Sequence, residues 1–202
     1  MLRWNSDKVY LEELGAKGVP TIPSHLVEAM DEAALAEARA KWRDDIVIKP
    51  PVSASATGTF LLKAGDAVPA EVEGRRMLIQ PYLQSIARTG EYSLMLFDGQ
   101  FSHAILKTPR AGDFRVQPHL GGSEQPCAPP GGAEALARAA LAAAPAEAVH
   151  ARVDMAVDDS GTLRIMELEL IEPALWLQHA PDKGAAFASA VRRAIEQPLA
   201  NR

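Results

Sequence analysis

The stretch Arg152–Glu172 carries two runs in which apolar and polar positions alternate, on either side of Asp158-Asp159-Ser160-Gly161. A period of two broken by turn-forming residues predicts a β-hairpin. Upstream, the pattern changes with each segment. Asn5 or Ser6 can cap a helix running to about Lys17, with Val9, Leu11 and Leu14 apolar and Gly18 as its stop. Gly18–Pro23 reads as an extended segment punctuated by prolines, and Asp31–Trp42 as an alanine-rich helix with Leu35 and Trp42 inward. Asp45–Pro50 is a buried strand that ends in Lys49, and Phe60-Leu61-Leu62 resumes an apolar strand after the small residues of Pro51–Thr59. Met77–Leu83 is a strand interrupted by Pro81, and Gly90–Phe97 and Phe101–Leu106 flank the hairpin signal Asp98-Gly99. Thr108–Pro130 is a long Gly- and Pro-rich loop, and loops of that length inside a domain are usually functional or mobile. Ala133–Ala143 and Asp182–Glu196 close the set as helices. Helices and strands in this order predict an α+β fold with mainly antiparallel sheet, not a doubly wound one.

The terminal hairpin concentrates charge. Whether its loop has two residues (Ser160-Gly161) or four (Asp159–Thr162), Asp154 falls opposite Glu167 and Arg152 opposite Glu169. Opposed residues share a face, so these four polar groups lie together, while Val153, Met155, Met166 and Leu168 form the core face. Three carboxylates on one patch repel, and one arginine does not neutralise them. Either the patch is a salt-bridged sheet face or it holds a divalent metal.

Composition narrows the classes. A chain of 202 residues, 48% of them hydrophobic, has room for one large domain or two small lobes with a real core. A net charge of −5 argues against a general nucleic-acid or anionic-membrane surface. Cys127 is the single cysteine, which excludes an internal disulfide framework and a thiolate metal site. The start, MLRWNSDK, lacks the apolar run of a secretory signal, and no run is long enough to span a membrane, so the expected location is cytoplasmic.

The cations form a pattern in this acidic chain. Lys49 closes a strand and points into Val52–Thr59, a loop whose small side chains let backbone N–H groups approach phosphate oxygens. The alternative is a flexible surface loop beside a snorkelling lysine. Lys107 ends a hairpin strand, and Arg110 and Arg115 follow it. With Lys8 and Arg152 they supply what nucleotide phosphates require when a carboxylate-bound metal stands nearby.

Seven segments taken in order resemble the ATP-grasp superfamily, in the branch similar to bacterial glutathione synthetase: NSDKVYLEELGAKGVPTIPS, DIVIKP, the small-residue loop, LIQPYL, GEYSLMLFDGQFSHAILK, FRVQPHLGG and ARVDMAVDDSGTLRIMELELIEP. The subgroup that includes the cyclo-ligase of cycloserine biosynthesis is the one it most resembles. The resemblance implies two lobes that grip ATP between antiparallel sheets: residues 1–18 as a linking helix, 19–82 as the smaller lid lobe and 83–202 as the larger lobe. It implies an ATP- and Mg-dependent ligase that activates a carboxylate as an acyl-phosphate for attack by an amine or similar nucleophile, both small molecules.

Position by position, it implies that Lys8 and Lys49 hold phosphates and that Ser53, Ser55, Thr57 and Gly58 belong to the lid loop. Gln80, Pro81, Tyr82 and Leu83 would be the adenine hinge, and Glu91 the ribose ligand. Asp154, Glu167 and Glu169 would coordinate two Mg²⁺ ions. Lys107, Arg115 and Arg152 would stabilise the transferring phosphoryl group, with Gly121-Gly122 shaping the substrate loop.

Departures are visible too. The lid loop has one glycine where many relatives have several, Glu169 stands where many carry Asn, and Pro81 removes a backbone donor from the hinge. Family members have an N-terminal α/β domain ahead of this core, so the expectation is a truncated product, or completion by a partner chain or a homodimer. Two other activities fit the same scaffold: a nucleotide-binding remnant without ligase activity, and a small-molecule kinase. His103, between apolar neighbours, is expected to be structural, as are Trp176 and Leu177; Cys127 is expected to be inert. Glu172 either lines the cleft or caps a turn, and His119 is a lesser candidate than Arg115 for touching substrate.

Overall fold

The computed structural model describes residues 1–42 and 45–196. Two antiparallel sheets organise them. The smaller comprises β1 (His25–Val27), β2 (Ile46–Lys49), β3 (Phe60–Leu62) and β4 (Met77–Pro81) in the order β1-β4-β2-β3. The larger comprises β5 (Glu91–Phe97), β6 (Gln100–Thr108), β7 (Ser123–Cys127), β8 (His150–Val157) and β9 (Leu163–Glu169) in the order β7-β6-β5-β8-β9. Helices are α1 (Leu2–Ser6), α2 (Tyr10–Ala16), α3 (Glu32–Trp42), α4 (Gln84–Thr89), α5 (Ala133–Ala143) and α6 (Ala185–Glu196). Every pairing of named strands is antiparallel, as expected for an α+β fold.

Strand alternation sorts core from cavity. In β2, Ile46 and Ile48 are fully buried against Leu35 and Ala38 of α3, which leaves Val47 and Lys49 on the opposite face. In β4, Met77 and Ile79 join the same core, while Leu78 turns away into the larger cluster. One face of the larger sheet buries Leu94, Leu96, Val153, Met155 and Leu168 with α2 and α5. Its other face is divided along its length. Met95, Phe97 and Ile105 are covered by Ala190 and Phe187 of α6, but Glu91, Ser93, Lys107, Arg152 and Asp154 extend past the helix. Apolar residues at one end of β5 and polar ones at the other mark where the helix stops and a cavity begins.

Several elements differ from expectation. The first helix is broken at Asp7, whose Oδ1 accepts from Val9 N at 3.1 Å. Asn5 therefore caps nothing and instead turns its amide to β9. The Thr108–Pro130 loop contains a short 3₁₀ turn (Pro118–Leu120) and the edge strand β7. Helix α4 was hidden because its cap is remote: Asp159, in the β8–β9 turn, accepts from Ser85 N at 2.9 Å and Gln84 N at 3.2 Å.

The β8–β9 turn spans Asp158–Thr162, with Val157 paired to Leu163. That register alone would misplace the acids by one residue. A bulge at Met166 restores it, so Asp154 faces Glu167 and Arg152 faces Glu169 as the alternation predicts. The core partner of Met155 is consequently Ile165, and Met166 borders the cavity while still packing on the core.

His103 is buried as expected, between Ser102 Oγ and Leu175 O, each 2.9 Å from a ring nitrogen. Burial lowers its pKa and keeps the ring neutral.

Candidate active site

A cavity of about 750 Å³ opens between the sheets and is lined from both. Its floor is a lattice of charges on the uncovered end of the larger sheet. Asp154 is 2% exposed and accepts from Ser93 Oγ at 2.5 Å and from Arg152 Nε at 3.0 Å, and meets Lys107 Nζ at 3.1 Å. Burial pushes its pKa up, but Arg152 and Lys107 outweigh that and hold it below the usual carboxylate range. Arg152 also bonds Glu169 at 2.5 Å and lies 5.7 Å from the centre of the Trp176 ring. Lys107 faces Glu91 across β5 and β6 at 2.5 Å. Lys8 meets Glu167 at 3.1 Å and donates to Ser53 O at 2.6 Å.

The salt-bridged reading therefore describes what these side chains do: Arg152 is not alone, because Lys8 and Lys107 share the neutralisation. Lys49 differs. It faces the cavity from β2, bonds to none of the described residues, and has its pKa lowered by burial.

Asp154, Glu167 and Glu169 each bring one oxygen within 4.8 Å of the others. Burial raises Glu169 to about 7, with Glu167 and Asp154 adding to a shift that Arg152 opposes. Three carboxylates this close repel one another, and an oxygen-only donor set suits a hard divalent ion.

Of the remaining expected residues, Ser53, Ser55, Gln80, Pro81, Tyr82, Leu83 and Arg115 line the cavity. Tyr82 N donates to Asp45 O at 3.0 Å, and Gln80 Nε2 donates to Ser24 Oγ at 2.9 Å. The N–H of Leu83 has no partner among the described residues, so the donor lost at Pro81 has a neighbour to replace it. Thr57 and Gly58 are not brought to the cavity. They border a second space of about 470 Å³ on the other side of the loop. Ser55 and Ala56 hold φ of 55° and 58°, a left-handed conformation that side chains disfavour, and one the scarcity of glycine leaves them to adopt. Arg115 is not a free cation: Asp113 takes its Nε at 3.1 Å and its terminal nitrogen at 3.0 Å.

Two glycines permit close approaches. A Cβ on Gly90 would lie 2.5 Å from Lys107 O, and one on Gly122 would lie 2.2 Å from Val116 O. The first lets Glu91 begin beside Lys107. The second folds the loop that brings Val116 and Gln117 to the cavity.

Asn5, Phe114, Gln117 and Glu124 line the cavity without having been expected there. Trp176 was expected in the core, and it does pack on the cluster of Met95, Phe97 and Ile105. It also lines the cavity, bonding Glu124 through Nε1 at 2.8 Å with a φ of 42°. Glu172 lines the cleft, which decides between its two readings. A buried arginine on a sheet face needs an aromatic or acidic roof, and that requirement was the available signal for Trp176.

No protein-family model matches the chain. It is similar to the cycloserine biosynthesis protein DcsG of Streptomyces lavendulae, 32% identical over 97% of this chain and 72% of that protein. The crystal structure of D-cycloserine synthetase DcsG superposes with a TM-score of 0.83 at 31% identity, covering 96% of this chain and 72% of that one. D-alanine–D-alanine ligase from Bacillus anthracis complexed with ATP gives a TM-score of 0.69 at 20% identity, over 95% of this chain and 65% of that one, a likeness of fold. The ATP-grasp ligase PsnB complexed with a minimal precursor gives 0.68 at 16% identity, over 94% and 61% of the two chains, again a likeness of fold.

Proposed function

The chain belongs to the ATP-grasp ligases, and on that premise we propose that it joins a small carboxylate to an amine or similar nucleophile through an acyl-phosphate. The observation that carries this reading is the acid triad lining, from the larger sheet, the same cavity that Gln80–Leu83 lines from the smaller one. Four cations (Lys8, Lys49, Lys107, Arg152) stand there among four carboxylates (Glu91, Asp154, Glu167, Glu169). Two divalent ions and one ATP add no net charge, so the wall keeps its balance when they enter.

In this reading the Leu83 N–H meets the adenine edge, with Tyr82 and Phe114 as side walls. Their rings are 6.2 Å apart and edge-on. Lys49 meets phosphate oxygens from one sheet, and Lys8 does so as it leaves Glu167. Asp154, Glu167 and Glu169 would hold Mg²⁺, as they are oxygen donors that share one small volume. Held there, it would supply positive charge against the charge on the transferring phosphoryl group. Lys107 and Arg152 lie where they neutralise charge without leaving the sheet. The substrate carboxylate oxygen attacks the γ-phosphorus and ADP leaves. The amine then attacks the acyl carbon, phosphate leaves, and the amine proton passes to solvent. Residues 1–18 serve as the linking segment of the core, 19–82 as the lid lobe and 83–202 as the larger lobe.

Hydroxylamine tests the intermediate. With Mg·ATP and a panel of amino-acid and dipeptide carboxylates, the expected result is a hydroxamate formed together with ADP. ADP and a stable phosphate ester, with no hydroxamate from any carboxylate, would mean a kinase instead.

A further inference from the structure

Strand β9 is outermost in the larger sheet, so half its backbone groups face away from β8 and need partners outside the sheet. Near Ile165 those partners are backbone: Ile165 N donates to Pro20 O at 2.8 Å, and Ile22 N donates to Ile165 O at 2.9 Å. Around Leu168 they are two side chains. Asn5 Nδ2 donates to Leu168 O at 2.7 Å, and Asn5 Oδ1 accepts from Leu170 N at 2.8 Å. The Tyr10 hydroxyl oxygen accepts from Leu168 N at 2.9 Å. Leu168 lies between Glu167 and Glu169, and Leu170 follows Glu169. The three bonds thus pin the backbone on both sides of Glu169.

We infer that Asn5 and Tyr10 are positioning residues that substitute for a missing edge strand and set the spacing at which Glu167 and Glu169 share a divalent ion with Asp154. The inference rests on the metal reading above. Its physical basis is the bulge at Met166, which interrupts the β8–β9 ladder immediately before the first of these acids. A strand is least constrained where its ladder is broken, so its next residues depend on their outer partners. Neither side chain is free for another task. Both ends of the Asn5 amide are taken by backbone, and Tyr10 is 1% exposed with its ring 5.1 Å from Trp4. The same segment carries Lys8, so it also places the cation that meets Glu167.

The test uses the full chain and Tyr10→Phe, which keeps the ring and its packing. Three readouts are taken: amide hydrogen exchange at Leu168 and Leu170, the Mg²⁺ concentration giving half the ATP-induced thermal stabilisation, and the melting temperature without ligand. Exchange at Leu168 is expected to quicken about tenfold and the Mg²⁺ midpoint to rise about tenfold, as losses of metal-supporting hydrogen bonds do. The ATP midpoint at saturating Mg²⁺ is expected to stay unchanged. Asn5→Leu keeps most of the bulk, loses both bonds and adds no charge, so it should move the Leu170 exchange and the Mg²⁺ midpoint in the same direction. It decides the matter if Tyr10→Phe does not fold. Faster exchange with an unchanged Mg²⁺ midpoint, or unchanged exchange, would overturn the inference. A wild-type protein whose ATP stabilisation ignores Mg²⁺ would overturn the metal reading itself.

Discussion

Glu167→Gln is expected to lower Mg-dependent turnover on the order of 100-fold while leaving the melting temperature nearly unchanged. The asymmetry follows from its surroundings. Among the described residues Glu167 pairs with Lys8, and its side chain is 26% exposed. Lys8 keeps a second acceptor, Ser53 O, when that charge is removed. Lys8 is itself buried, but it keeps the Ser53 O bond, and the loss of one acid relieves repulsion among Asp154, Glu167 and Glu169, so the net cost stays small. As a metal ligand, the same carboxylate supplies a charge that the amide does not. The check is kcat/KM across a Mg²⁺ titration beside a thermal melt of the ligand-free protein. Equal loss of activity and stability would make the acid structural.

Asp154→Asn behaves differently. Its carboxylate holds Arg152, Lys107 and Ser93 at once in a buried place, so removing the charge leaves two cations undercompensated. Breaking such a buried network costs about 3 kcal/mol or more, and activity falls with it. The pH dependence has a definite sign. The folded-state pKa of Asp154 lies below its unfolded value, so its contribution is present above about pH 4 and lost as pH falls further. Chemical denaturation from pH 7 down to pH 3 should therefore show the wild type losing stability more steeply than Asp154→Asn. Parallel profiles would contradict the assignment.

The acid face could be derived from the alternation of Arg152–Glu169, yet its register came out right through two compensating departures. The turn has five residues, Asp158–Thr162, where two or four were expected, and the bulge at Met166 absorbs the difference. Local pattern does not reveal such a bulge, because Met166 suits a core position as well as a cavity wall. Elements whose support is distant were the ones missed. Helix α4 is capped by Asp159 from the β8–β9 turn, and β7 is an edge strand tolerant of Pro126 because half its backbone needs no partner. Asn5 looked like a cap because Asn commonly is one, but its amide serves a strand more than a hundred and sixty residues away in sequence. For Lys49, Lys107 and Arg152, the sequence position at a strand end or on a polar strand face was sufficient to foresee a cation on the cavity. For Arg115 it was not, since Asp113 two residues earlier folds back onto it.

Whether this cavity takes ATP together with a divalent metal is decided by thermal denaturation of the protein with ATP, with Mg²⁺, and with both. Either alone at moderate concentration should have little effect. Both together at about 100 times the dissociation constant should add roughly 2.7 kcal/mol of stability. Glu167→Gln should remove most of that gain. An unchanged melt with both present, or an ATP effect equal in the presence and absence of Mg²⁺, would contradict this reading of the cavity.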